Sequence, residues 1–191
     1  YVDAVDTKIQ YAVSGKKSPR HLVINNLPGT PGFCPLIHKT DKLESFLNDD
    51  YSEQKSKYLN SIHKEILQRA SAFLLLKDSK ASFTIEGESP KSKRAARWGR
   101  AIGQAGTREL TKEELLRLQQ IVIENARFVD MGFRKKGGFV GDHDRISGEP
   151  IPDHISARWQ DIDELLDGLI DTDKLLLNSN MDAVLVSTVI A

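Results

Sequence analysis

The chain has 191 residues, 39% hydrophobic and 28% charged, with Lys plus Arg and Asp plus Glu balanced at 27 each. Such a chain is long enough to bury a core. Its zero net charge excludes a global field that would draw it to nucleic acid or an anionic membrane. The single cysteine, Cys34, forms no internal disulfide and fits a reducing cytoplasm. No apolar run approaches the roughly 20 residues that cross a bilayer. Tyr1-Val2-Asp3-Ala4 carries no signal-peptide pattern.

In chain order, residues 1 to about 36 read as loop-like. Leu27-Pro28-Gly29-Thr30-Pro31-Gly32-Phe33-Cys34-Pro35 breaks any regular element, and Ile9–Val13 and His21–Ile24 are short strands or extended packing segments. Asp41 to Leu47 predicts a short helix with Leu43, Phe46 and Leu47 on one face. A longer helix is predicted from about Ser52 to Lys77, with Leu59, Ile66, Leu67, Ala70 and Leu74 as its core stripe. Ser89-Pro90 opens the next helix, and Gly103 to Gly106 closes it. Thr111-Lys112-Glu113-Glu114 is a capping box for a helix ending near Asn125. Met131 to Pro152 is Gly-rich and predicts a hairpin or ordered loop. Helices through Trp159–Leu169 and from Met181 onward follow. The chain begins without methionine and stops inside an apolar stretch with no helix-stop residue, which predicts truncation.

Several segments carry chemistry, each beside a plainer reading. In Ser82-Phe83-Thr84-Ile85-Glu86-Gly87, Ser82 caps a short helix, Glu86 projects four residues later and Gly87 takes a left-handed terminal position. The plainer account is a surface turn with a solvated glutamate. In Gly137-Gly138-Phe139-Val140-Gly141, glycines allow close backbone approach and Phe139-Val140 favour a strand. An open strand edge there takes one strand of a target peptide; a plain surface hairpin is the alternative. Asp142-His143-Asp144 and Asp153-His154 lack the helical His spacing of a zinc site and read as turn residues. Lys91, Lys93, Arg94, Arg97 and Arg100 form a basic helix around Trp98. With balanced charge overall, a solvated face is favoured there over a nucleic-acid surface.

The order of these segments resembles Fic-domain protein adenylyltransferases that carry an N-terminal inhibitory motif, (Ser/Thr)-x-x-x-Glu-(Gly/Asn), matched by Ser82, Glu86 and Gly87. Met131-Gly132-Phe133-Arg134 is similar to the family's Gly-x-(Tyr/Phe)-Arg turn. Gly138, Phe139, Val140 and Gly141 are similar to its target-docking flap, and Pro150–Arg158 to the segment after that flap. The resemblance covers roughly residues 52–191. The family's catalytic signature, His-Pro-Phe-x-(Asp/Glu)-Gly-Asn-Gly-Arg, occurs nowhere in the chain.

The resemblance implies a mainly α fold, an irregular helical bundle of the Fic type with one small β-hairpin flap. Residues 1–50 would be a partly irregular extension, and 51–191 the N-terminal part of the helical domain, truncated before the catalytic loop. It implies an autoinhibited enzyme that transfers AMP from ATP, with Mg²⁺, to a Ser, Thr or Tyr hydroxyl of a target protein. Glu86 would occupy an arginine of the absent motif, and no catalytic or metal ligand falls within these residues. A cytoplasmic setting, no membrane or nucleic-acid partner and compatibility with a homodimer complete the expectation. Two alternatives stay open: a non-enzymatic, antitoxin-like module that inhibits a separate chain, and a helical nucleic-acid-binding regulator.

Overall fold

A computed structural model describes residues 1–48, 57–85, 87, 92–123 and 131–190. They form a mixed α/β fold, about half helical. Besides the hairpin, a second sheet is present where the sequence suggests mainly loop. Its strands are β1 (Val2–Asp3), β2 (Lys16–Ser18) and β3 (Val23–Asn25), in the order β1-β3-β2, with β1 parallel and β2 antiparallel to β3. The helices are α1 (Asp41–Asn48), α2 (Lys64–Ile85), α3 (Ser92–Ile102), α4 (Lys112–Val122), α5 (Ile162–Leu177) and α6 (Ala183–Ile190). Strands β4 (Phe139–His143) and β5 (Pro150–Ile155) make the hairpin, and a 3₁₀ turn at Trp159–Asp161 leads into α5. No helix among the described residues is long and apolar enough to cross a membrane.

The chain packs as two compact units, Tyr1–Thr40 with Phe133–Ala191, and Asp41–Gly132. This grouping differs from a division at residue 50, because the N-terminal segment belongs with the C-terminal helices. Within the first unit, buried Asn26 ties the sheet to the segment after β1. Its side-chain amide donates to the Val5 carbonyl and accepts from the Val5 N–H, both at 2.9 Å. The loop that follows is seated on α5 by threonines. The Thr30 N–H donates to Thr172 Oγ1 at 3.1 Å, Thr30 Oγ1 donates to the Gly168 carbonyl at 3.2 Å, and Thr172 Oγ1 donates to the Phe33 carbonyl at 2.5 Å. Gly32 and Gly168 let the two backbones meet, since a Cβ on Gly168 would lie 2.6 Å from the Gly32 carbonyl carbon. Ile170 and Leu176 of α5 and Leu185 and Val186 of α6 supply apolar core here.

In the second unit, α2 packs on α3 and α3 on α4. The stripe expected to be core is not one. Ile66 and Leu74 are exposed, whereas Ser79 and Phe83 are the buried residues of α2. Small residues set that contact: a Cβ on Gly99 of α3 would stand 3.1 Å from Ser79 Oγ, so the helices approach where side chains are shortest. The helix predicted from Ser52 to Lys77 is also displaced. Residues 57–60 form a helical turn, Ser61 Oγ takes the Tyr58 carbonyl at 2.6 Å, and α2 restarts at Lys64 and runs to Ile85. Its predicted start, at residues 52–56, lies outside the described residues. Thr111 caps α4 as the capping box requires, accepting from the Glu114 N–H at 3.1 Å.

Candidate docking and regulatory sites

Ser82 lies inside α2 and not at its start. This corrects the short capped helix expected there. Its hydroxyl donates to the Asp78 carbonyl four residues back at 3.0 Å, and Thr84 does the same to Lys80 at 2.9 Å. Hydroxyls bonded in this way let the helix continue instead of starting a new one. Gly87 holds the left-handed conformation, φ 72°, and its N–H donates to the Thr84 carbonyl at 3.0 Å. That geometry ends a helix. Glu86 lies outside the described residues.

Phe83 fixes this helix end, a role that no spacing in the sequence signals. Its ring is buried, with the Arg94 guanidinium stacked 4.4 Å from the ring centroid. Arg94 Nε also donates to the Val122 carbonyl at 2.5 Å, so one side chain joins α2, α3 and the end of α4. The basic residue at 94 is therefore a structural clamp and not part of a solvated face. Arg94→Ala removes a desolvated cation–π contact and a charge-assisted hydrogen bond, and is expected to cost about 2 kcal/mol. A lowered urea midpoint for the transition of residues 41–132 is the check. An unchanged midpoint would refute the clamp.

Gly138, Phe139, Val140 and Gly141 fall together on the hairpin, in the other compact unit from Ser82 and Gly87. Phe139 pairs with Ile155, Val140 with His154, Gly141 with Pro152, Asp142 with Ile151 and His143 with Pro150. The register skips Asp153, so β5 carries a bulge opposite Val140-Gly141. Gly141 has φ 150°, and a Cβ there would lie 2.3 Å from the Ile151 carbonyl oxygen, so glycine is required. Its missing side chain also lets the rings of Phe139 and His143 meet edge-on, 5.2 Å apart.

The two edges of this hairpin are chemically different. The Asp144 N–H donates to the Glu149 carbonyl at 2.8 Å and the Ser156 N–H donates to the Gly138 carbonyl at 3.1 Å. Alternation along an antiparallel ladder then turns the backbone groups of Phe139, Gly141 and His143 away from β5. Their counterparts on the outer edge of β5 include Pro150 and Pro152, which have no N–H to offer. Among the described residues no third strand joins either side. The edge of β4 is open for pairing and that of β5 is blocked.

Both ends of the hairpin are held in place. Arg134 donates to the Lys136 carbonyl at 2.9 Å and to the Ala157 carbonyl, closing the base. At the tip, the Asp144 carboxylate accepts from the N–H groups of Ile146 and Ser147 at 2.8 and 2.7 Å and from Ser147 Oγ at 3.1 Å. The backbone hydrogen bond from Ser147 is the largest influence holding this carboxyl below its ordinary pKa. Ile146 stands 98% exposed on this rigid turn. Compared with protein-family models, curated proteins and solved structures, the chain matches none.

Proposed function

We propose that the chain is the target-docking and self-inhibiting portion of a protein adenylyltransferase. The observation that carries the proposal is the open edge of β4, where Phe139, Gly141 and His143 turn backbone donors and acceptors outward while prolines block the opposite edge. A strand added there is held by main-chain hydrogen bonds, which places a target's backbone while reading little of its sequence. A modifying enzyme that needs one hydroxyl at a fixed point has use for such a grip.

In the proposed reaction the target hydroxyl oxygen bonds to the α-phosphorus of ATP. Pyrophosphate leaves, and the hydroxyl proton passes to a base. The His, acidic and Gly-Asn-Gly residues that would serve as base, hold Mg²⁺ and cradle phosphate are not among these 191 residues, so none is assigned here. What this chain contributes is position and restraint: β4 for the target, and the end of α2 at Gly87 for presenting Glu86.

His143→Pro removes one outward N–H and no ladder bond. In the protein bearing the complete motif, it is expected to cut labelling of a target from α-phosphate-labelled ATP by about fivefold, the worth of about one hydrogen bond. Undiminished labelling would refute strand addition.

A further inference from the structure

The hairpin carries four carboxylates, Asp142, Asp144, Glu149 and Asp153, against one guanidinium, Arg145, within residues 139–155. They are not equivalent. Asp144 is consumed by its turn, accepting three hydrogen bonds. Asp142, Glu149 and Asp153 are exposed, and among the described residues no ion pair engages them.

Strand alternation sorts the side chains of β4. Phe139, Gly141 and His143 share one face, and Val140 and Asp142 share the other. Val140 is 64% exposed, and Asp142 pairs across the hairpin with Ile151, which offers it no charge. A strand laid along the free edge of β4 therefore meets an aliphatic side chain and, two residues on, an unneutralised carboxylate.

We infer that the segment taken by β4 is basic: it places Lys or Arg opposite Asp142 and an aliphatic residue opposite Val140. This rests on the strand-addition reading above and names the class of peptide that reading leaves open. Backbone pairing supplies the grip, and the cross-strand charge pair selects among extended segments. Arg145 lies beyond the end of β4 in the turn; it lines one cavity with Asp142, and among the described residues no ion pair joins the two.

The test uses the whole chain and two extended Val/Thr peptides that differ only by Lys or Glu at the position meant to face Asp142. Binding is followed by the amide chemical shifts of Phe139, Gly141 and His143. The Lys peptide is expected to bind about fivefold more tightly than the Glu peptide, as an attractive cross-strand pair replaces a repulsive one. Asp142→Asn should abolish the preference, and Asp142→Lys should reverse it. The preference should shrink at high salt. If both peptides shift the three amides with equal affinity, strand addition stands and charge selection is overturned. If neither peptide shifts them, strand addition fails and the inference with it. Asp142 is exposed, so unchanged amide positions elsewhere establish that the variants remain folded.

Discussion

Gly168→Ala is expected to lower the melting temperature by about 4–8 °C, although alanine is the better helix former. On an open helix face the substitution would stabilise by roughly 1 kcal/mol through propensity alone. Here the added methyl meets backbone and not a movable side chain: its nearest neighbours are the carbonyl carbon, Cα and oxygen of Gly32, at 2.6, 2.7 and 2.9 Å. Relieving that overlap means lifting the loop of Thr30 and Phe33 away from Thr172. Overpacking of this kind costs about 1–3 kcal/mol, and the loosened threonine bonds add about 1 kcal/mol more. The net loss of about 2 kcal/mol converts to the stated fall for a chain of this size. Gly137→Ala is the control, because nothing lies within 4 Å of a Cβ there. A melting temperature unchanged by Gly168→Ala would mean that the loop is not seated on α5.

The largest functional effect is expected from Glu86→Gly. In the protein carrying the complete motif it should raise AMP transfer about ten- to hundredfold, measured with α-phosphate-labelled ATP. The range follows from the worth of a charge-assisted hydrogen bond, roughly 1.5–3 kcal/mol, at about 1.4 kcal/mol per tenfold. Removing the carboxylate frees a guanidinium for the γ-phosphate, so the gain should appear in kcat more than in KM. Glu86→Gln keeps the shape without the charge and should fall between the two. Equal labelling by wild type and Glu86→Gly would end the autoinhibition proposal. The structural requirement is that α2 reach its end intact, which Phe83 and Arg94 secure.

What could be read in the sequence was local. Thr111 three residues before Glu114 announces a cap because both partners lie within one turn. Gly138 to Gly141 announce a turn-bounded strand for the same reason, since glycine and β-formers act through their own backbone. Helix boundaries were less legible. Asn60-Ser61 breaks a helix without glycine or proline because a hydroxyl competes for the Tyr58 carbonyl, while Ser79, Ser82 and Thr84 bond four residues back and let α2 run on. The meeting of Thr30 with Thr172 is separated by 142 positions and leaves no periodic trace. The proline-blocked edge was present in Pro150-Ile151-Pro152, but its meaning needed the register that sets both rings on the outer side. The sheet of residues 2–25 is legible only in His21–Ile24, which overlaps β3, because its strands have two or three residues, too few to display alternation.

The threonine clasp has a consequence for biosynthesis. Residues 28–34 leave the ribosome before α5, yet their seat on it exists only after residue 172 has been made. During synthesis this segment must wait, its apolar side chains uncovered, while residues 41–132, a compact unit of their own, are completed. An N-terminal fusion that hinders this late return would penalise yield more than the finished protein's stability, and slowing elongation after residue 132 would prolong the most aggregation-prone interval.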